Sequence, residues 1–199
     1  AVKILDAAGL EVLTAPHVCC GRPMISKGLL ERARENARRN VEVLAPFAEQ
    51  GIPIVGLEPS CLLTLRDEYL DFFPGDSRAR LVADHARMID EFLVERSESG
   101  GLELKWKAEK KQVLFHGHCY QKALTGTSSI KKMLSFPGWS VSEIDSGCCG
   151  MAGSFGYEAE HYELSQQIGE QRLFPAVRDG VGRGAVIAAA GMSCRHQIA

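Results

Sequence analysis

Residues 146–156 read Ser-Gly-Cys-Cys-Gly-Met-Ala-Gly-Ser-Phe-Gly, a pair of adjacent cysteines in a segment where glycine recurs at every third position. An earlier segment, Cys19-Cys20-Gly21, repeats the centre of this one. Adjacent thiols in a glycine-rich loop can form a disulfide switch, bind a metal or remain inert. The positions of the other cysteines distinguish between these uses.

The composition sets the class of protein and leaves its function open. The 199 residues are 45% hydrophobic and 24% charged, and the net charge of -2 gives no field that favours nucleic acid or an anionic membrane surface. The longest apolar run, at residues 185–190, is far shorter than the roughly 18 residues that a membrane-spanning helix needs. With no secretory leader, we expect a cytoplasmic protein without nucleic-acid partners or a transmembrane segment.

The number of cysteines indicates metal binding or thiol redox chemistry. Seven are many for a chain in a reducing compartment, and an odd number argues against a closed set of internal disulfides. Clustered cysteines in such a compartment are more often metal ligands or redox-active thiols than structural bridges.

Strand and helix patterns alternate along the chain. Short apolar or branched runs predict strands at residues 10–13, 52–57, 112–116, 139–144 and 185–190. Apolar residues at helical spacing predict helices at residues 1–9, 26–50, 62–72, 79–96, 121–134 and 158–177, the second of them capped by Ser26. Because crossover helices return the chain in the same direction, we expect an α/β fold with mostly parallel strands, in two Rossmann-like or flavodoxin-like halves.

The two halves follow from a repeat in the sequence. A shift of 129 residues places Cys19-Cys20-Gly21 on Cys148-Cys149-Gly150, and a shift of 133 places Ser60-Cys61 on Ser193-Cys194. We interpret this as an internal duplication, with one half at residues 1–98 and the other at 99–199, joined by a linker at residues 97–101. The counterpart of Cys119 would precede Ala1, so we expect a fragment of a longer protein whose first half is truncated.

Each cysteine follows a predicted strand. Sites in open parallel sheets form at the carboxyl ends of the strands, so the thiols are expected at the functional edge of each half. The second half supplies the four thiols of the expected primary site, Cys119, Cys148, Cys149 and Cys194. The first half supplies three thiols for a secondary site, Cys19, Cys20 and Cys61.

Adjacent cysteines favour a multi-iron cluster over a single zinc ion. Zinc ligands are commonly separated by two to four residues, whereas neighbouring thiolates can reach different irons of one cluster. Gly147, Gly150 and Gly153 would let backbone N–H groups approach the cluster sulfides, although these glycines could also simply shape a tight turn. The prediction from the residues is an iron-sulfur cluster, with zinc and a disulfide switch as the alternatives.

Three histidines, His116, His118 and His196, flank Cys119 and Cys194 in the sequence. Each could bind metal, accept a proton during electron transfer or donate to a sulfur, and each could also be an ordinary loop residue. His118 is the strongest candidate because it directly precedes a proposed ligand.

These segments together resemble the cysteine-rich CCG domain. The resemblance rests on residues 17–22, 58–61, 116–123, 145–156 and 193–198. Such domains occur in the cysteine-rich subunit of heterodisulfide reductase, in the iron-sulfur subunits of glycolate oxidase and anaerobic glycerol-3-phosphate dehydrogenase, and at the C-terminus of FAD-linked oxidases of the D-lactate and D-2-hydroxyglutarate dehydrogenase kind. The resemblance to these oxidases is the strongest.

The resemblance implies a part of an oxidoreductase that passes electrons onward. It also implies a [4Fe-4S] centre held by Cys119, Cys148, Cys149 and Cys194. FAD would lie in another domain or a partner subunit, a ferredoxin-type 4Fe-4S domain would precede this one, and a quinone or another acceptor would follow, with the protein cytoplasmic or peripheral to the inner membrane. The family pattern ends each repeat in Cys-x-x-Cys, whereas Thr64 and Gln197 stand at the last positions here. The alternatives are a thiol/disulfide catalytic domain like that of heterodisulfide reductase and a metal-free docking module.

Overall fold

Each half of the chain builds a small parallel sheet with helices around it. The computed structural model describes residues 1–107 and 109–199, which divide into two units, Ala1–Leu104 and Lys105–Ala199. Strands and helices alternate in both units, so the predicted α/β class is confirmed. The interpretation of residues 1–98 and 99–199 as copies of one repeat stays a prediction.

The first unit is mostly helical. Strand β1 pairs in parallel with β2, with Ile54 opposite Ala86. Helix α3 packs on α6 through small side chains such as Ala37 and Ala79, which are fully buried. The elements are α1 (Val2–Ala7), α2 (Arg22–Ser26), α3 (Leu30–Glu49), β1 (Ile54–Gly56), α4 (Pro59–Arg66), α5 (Glu68–Phe72), α6 (Ser77–His85), β2 (Ala86–Met88) and α7 (Ile89–Glu98).

The second unit has a three-stranded parallel sheet. Strand β3 lies in the middle, and Val113 is opposite Val141 of β4 on one side and Val186 of β5 on the other. The elements are β3 (Gln112–His116), α8 (Cys119–Leu124), α9 (Ser128–Ser135), β4 (Ser140–Glu143), α10 (Tyr162–Gly182), β5 (Val186–Ala189) and α11 (Met192–Ile198), with short 3-10 turns at Phe155–Tyr157 and Ala159–His161.

Four of the five predicted strands are present, and the fifth is not. Residues 10–13 form no strand, because an isolated extended segment is not stable and none of the described strands pairs with this one. As a consequence, Val12 and Leu13 are exposed.

Several predicted helices are divided. Residues 79–96 are not one helix, since β2 separates α6 from α7; a three-residue strand with apolar Ala86 and Met88 is too short to be recognised against a helical pattern. Ser26 ends α2 and does not cap α3, which begins after a turn. The helices predicted at 62–72 and 121–134 are each two helices, α4 with α5 and α8 with α9.

The described helices include no candidate for a membrane span, since none combines sufficient length with sufficient apolar character.

Candidate metal centre

The parallel sheet of the second unit brings its four cysteines to one edge. Cys119 begins α8, shortly after β3 ends, and Cys194 lies in the first turn of α11, after β5. Cys148 and Cys149 lie in the loop that follows β4. Because the three strands are parallel, the loops at their carboxyl ends meet, as the sequence predicts.

The four thiols form a continuous chain of contacts. Cys119 interacts with Cys148, Cys148 with Cys149, and Cys149 with Cys194. Cys149 and Cys194 are buried, whereas Cys148 is partly exposed and Cys119 is exposed. The cluster therefore has one end in the core and one end open to solvent.

The contacts between the thiols shift their pKa values in opposite directions. The contact with Cys149, followed by that with His116, lowers the pKa of Cys194 to about 5 against the opposing effect of burial. The contacts with Cys119 and Cys149 hold the pKa of Cys148 far below its ordinary value. The same contacts raise the pKa of Cys119 and of Cys149. Metals bind thiolates, so a site with two acidic thiols is suited to a cation.

His116 brings a nitrogen to the buried end of this cluster. It is the last residue of β3, and its side chain is fully buried. The Nδ1 atom makes a hydrogen bond of 2.8 Å with Ser146 Oγ, while Nε2 is buried and has no hydrogen-bond partner. A ring nitrogen of His116 and the sulfurs of Cys149 and Cys194 lie within 4.8 Å of one another. Two thiols and an imidazole nitrogen at this spacing are a donor set suited to a metal.

Gly150 holds the cysteine loop against α10. Its φ of +103° is unfavourable for other residues, and a Cβ atom at this position would lie 2.2 Å from the Ser165 carbonyl oxygen. Its N–H donates to Cys148 Sγ at 3.3 Å. Gly150 therefore both shapes the turn and aims a backbone donor at a thiol. Gly147 has no such constraint, since a Cβ there would meet no atom within 4 Å.

Lys122 braces the same loop from the opposite side. Its Nζ donates to the Ser146 carbonyl oxygen at 2.6 Å and lies 3.7 Å from Glu143 Oε1. The residue that orients His116 is therefore itself held in place.

The other two histidines are not part of this donor set in the described residues. His118 caps α8, and its Nδ1 accepts the N–H of Tyr120 at 3.2 Å. Its ring packs against Gly191, next to Cys194. His196 contacts the Tyr157 hydroxyl at the surface.

The contact between Ser146 and His116 was not predicted, since it joins residues 30 positions apart. The one available signal in the sequence was a histidine at the inner end of an apolar strand.

The first unit gathers three cysteines in a similar way. Cys19 and Cys20 precede α2, and Cys61 lies in the first turn of α4, after β1. The contact between Cys20 and Cys61 raises the pKa of Cys20, with a further contribution from burial, and lowers the pKa of Cys61.

A buried polar frame fixes the first cysteine loop. Asn40 accepts the N–H of Val18 at 2.9 Å and donates to the Tyr69 hydroxyl at 2.9 Å. Tyr69 in turn donates to the Cys20 carbonyl oxygen at 3.0 Å. Gly21 packs against the backbone of Ala33 with a φ of +91°. The loop is therefore held by helices α3 and α5.

A groove of about 660 Å³ runs beside these three thiols. Residues 12–20 line one part of it, and β1 with the start of α4 lines another. Strand β1 pairs with β2 on one edge, and no other described strand lies along its second edge.

The fold and the positions of the thiols together define a class: this is a cysteine-rich α/β protein whose thiols gather at the carboxyl ends of parallel strands. Residues 1–66 match the family described as CCG, cysteine-rich domain. Residues 1–66 therefore belong to this cysteine-rich domain family, and the predicted resemblance is confirmed.

Three curated relatives indicate where such chains occur. The C subunit of anaerobic glycerol-3-phosphate dehydrogenase from Escherichia coli K12 is 32% identical over 84% of this chain and 42% of the relative. D-2-hydroxyglutarate dehydrogenase from the same strain is 29% identical over 99% of this chain and 19% of the relative. Lactate utilization protein A from Bacillus cytotoxicus is 26% identical over 90% of this chain and 74% of the relative. The chain thus spans less than half of the length of the first two relatives.

Proposed function

We propose that this chain is an electron-transfer part of an oxidoreductase and that its second unit holds a [4Fe-4S] cluster through Cys119, Cys148, Cys149 and Cys194. The observation that carries the proposal is the continuous contact of four thiols supplied by three strand ends. The similarity to a dehydrogenase subunit and to a dehydrogenase supports the same conclusion.

The residues present fit such a cluster. Four thiols match the usual ligand count, contacts within the cluster lower the pKa of Cys148 and Cys194, and the Gly150 N–H points at one sulfur. When bound, a [4Fe-4S] cluster supplies reversible one-electron transfer. The buried Cys149 and Cys194 keep water from one side of the site, and the exposed Cys119 gives the other side access to a redox partner.

The parent enzyme is, in this proposal, a flavin-linked 2-hydroxyacid dehydrogenase. FAD would lie in another domain or subunit and a ferredoxin-type 4Fe-4S domain would pass its electrons here, with a quinone or a similar acceptor beyond. The names of two relatives, D-2-hydroxyglutarate dehydrogenase and lactate utilization protein A, support a 2-hydroxyacid substrate. Location in the cytoplasm or at the inner membrane surface is part of the same proposal.

A single zinc ion is the second candidate. The observation that favours it is the compact set of His116, Cys149 and Cys194, whose donor atoms lie within 4.8 Å of one another. Zinc commonly takes two or three cysteines together with histidine, and such a site would be structural instead of redox-active.

Anaerobic reconstitution of the 199-residue chain with iron and sulfide separates the two candidates. We expect about four irons and four sulfides in a brown protein whose reduced form gives an electron paramagnetic resonance (EPR) signal. Cys148→Ser should abolish this signal, whereas the matched variant Cys61→Ser should leave it. A colourless protein that retains one zinc ion after metal exchange would refute the cluster.

A further inference from the structure

We propose that His116 is a metal ligand, so that the second unit binds its metal through both cysteine sulfur and an imidazole nitrogen. The inference rests on the proposed metal centre and goes beyond it. A four-iron cluster takes one protein ligand per iron, so His116 would take the place of one of the four thiols. Four features of the structure carry it: an unpartnered nitrogen, a fixed ring orientation, the distances to two sulfurs and the engagement of the competing groups.

The first feature is the environment of Nε2. His116 is fully buried at the end of the central strand, and its Nε2 makes no hydrogen bond. Native proteins rarely leave a buried polar atom without a partner, and such atoms often mark an absent water or ion. Nδ1 is already held by Ser146, and the sulfurs of Cys149 and Cys194 lie close to the ring.

The second feature is the orientation of the ring. Histidines that bind metals usually have their other nitrogen hydrogen-bonded, which fixes the tautomer and directs the lone pair. Ser146 Oγ provides this contact at 2.8 Å, and Lys122 fixes the backbone of Ser146 at 2.6 Å. His116 and Ser146 are therefore arranged like a metal-bound histidine and the residue that hydrogen-bonds its second nitrogen.

The third feature is distance. A ring nitrogen of His116 and the sulfurs of Cys149 and Cys194 lie within 4.8 Å of one another. Two donors on one metal are separated by at most the sum of their bond lengths, about 4.6 Å for two sulfurs and less for nitrogen and sulfur. A single metal ion can therefore be bound by these three side chains with little movement.

The fourth feature is that the neighbouring nitrogen groups are committed to the protein. His118 Nδ1 accepts the N–H of Tyr120 and caps α8. The Gln197 amide, three residues beyond Cys194, donates to the Ser165 carbonyl and hydroxyl oxygens at 3.1 and 3.0 Å. Among the described residues, the donor atoms within 4.8 Å of one another include a nitrogen of His116 and none of His118. His116 is thus better placed than His118, the histidine that its position beside Cys119 favours.

The test uses the whole 199-residue chain with 15N-labelled histidine, reconstituted anaerobically and reduced. Pulsed EPR should detect a strong 15N coupling that disappears in His116→Gln and persists in the matched variant His118→Gln. A cluster without 15N coupling in the unsubstituted protein would overturn the inference and leave the proposed cluster intact. Because this measurement is made on the unsubstituted protein, a variant that fails to fold does not spoil the test.

Two further readouts separate a ligand from a merely structural residue. His116→Cys should restore metal binding and lower the midpoint potential, because a thiolate adds negative charge where the imidazole was neutral. Ser146→Ala should weaken metal binding by about 10- to 100-fold while circular dichroism stays unchanged. An unchanged potential in His116→Cys would contradict ligation.

If no cluster forms, the proposed function fails and the inference is tested on zinc alone. X-ray absorption of the zinc-loaded chain should then give one nitrogen neighbour that is lost in His116→Gln. A zinc coordination shell that contains only sulfur atoms would overturn the inference for this metal too.

Discussion

Replacing Gly150 by alanine tests whether the cysteine loop depends on its contact with α10. A Cβ atom at this position would lie 2.2 Å from the Ser165 carbonyl oxygen, a backbone atom that cannot turn away. The φ of +103° is a second obstacle, since residues with a Cβ rarely adopt it. The substitution should therefore displace the loop that carries Cys148 and Cys149.

The expected cost follows from these two effects. A left-handed conformation costs a residue with a Cβ about 1–2 kcal/mol, and overpacking typically costs about 1–3 kcal/mol. Together they should lower the free energy of unfolding of the second unit by roughly 2–5 kcal/mol. For a unit of this size that corresponds to a fall in melting temperature of at least about 8 °C.

Tryptophan fluorescence is a suitable assay, because both tryptophans, Trp106 and Trp139, belong to the second unit. Urea unfolding followed in this way reports the second unit and is insensitive to the first. Gly147→Ala is the matched control in the same loop, since its Cβ would meet no atom within 4 Å. A Gly150→Ala protein as stable as Gly147→Ala would refute the packing of this loop on α10.

Two further predictions concern polar contacts. Tyr69→Phe removes the hydrogen bonds of the hydroxyl to the Cys20 carbonyl oxygen and from Asn40. Because both buried partners lose their bond, the substitution should cost about 1–3 kcal/mol, seen as faster amide hydrogen exchange at residues 18–22. Unchanged exchange would contradict the role of this frame. Burial raises the pKa of Glu143, but Lys131 at 2.9 Å outweighs it and holds the pKa below the ordinary 4.5. A carboxyl group with a depressed pKa stabilises the fold above about pH 4.5, and this stabilisation is lost as the pH falls through the folded pKa. The Glu143→Gln protein should therefore be less stable than the parent by at most about 1 kcal/mol at pH 7, and equally stable in acid. A difference that persists in acid would argue against the ion pair.

The sequence predicts the second unit well because its signals are local. Strand β3 is a buried apolar run with the predicted bounds, Gln112–His116, and its cysteine loop follows at once. The parallel arrangement then places the four thiols together without any knowledge of side-chain contacts. Cys20 also lies beside Cys61 in the first unit, although the strand predicted before Cys19 is absent.

The errors have physical causes of two kinds. Residues 10–13 have a strand-like composition, but a strand depends on a neighbour that lies elsewhere in sequence, and no described strand supplies one. Strand β2 is too short for its period to appear within a helical stretch. The pairing of His116 with Ser146 could not be predicted either, since it depends on how the loop after β4 folds back on β3.

The most direct measurement of the central claim is a Mössbauer spectrum of the whole chain after anaerobic reconstitution with 57Fe and sulfide. We expect the spectrum of one four-iron cluster, retained in Cys61→Ser and lost in Cys148→Ser. A spectrum of unbound iron only, in a protein that is folded by circular dichroism, would contradict it.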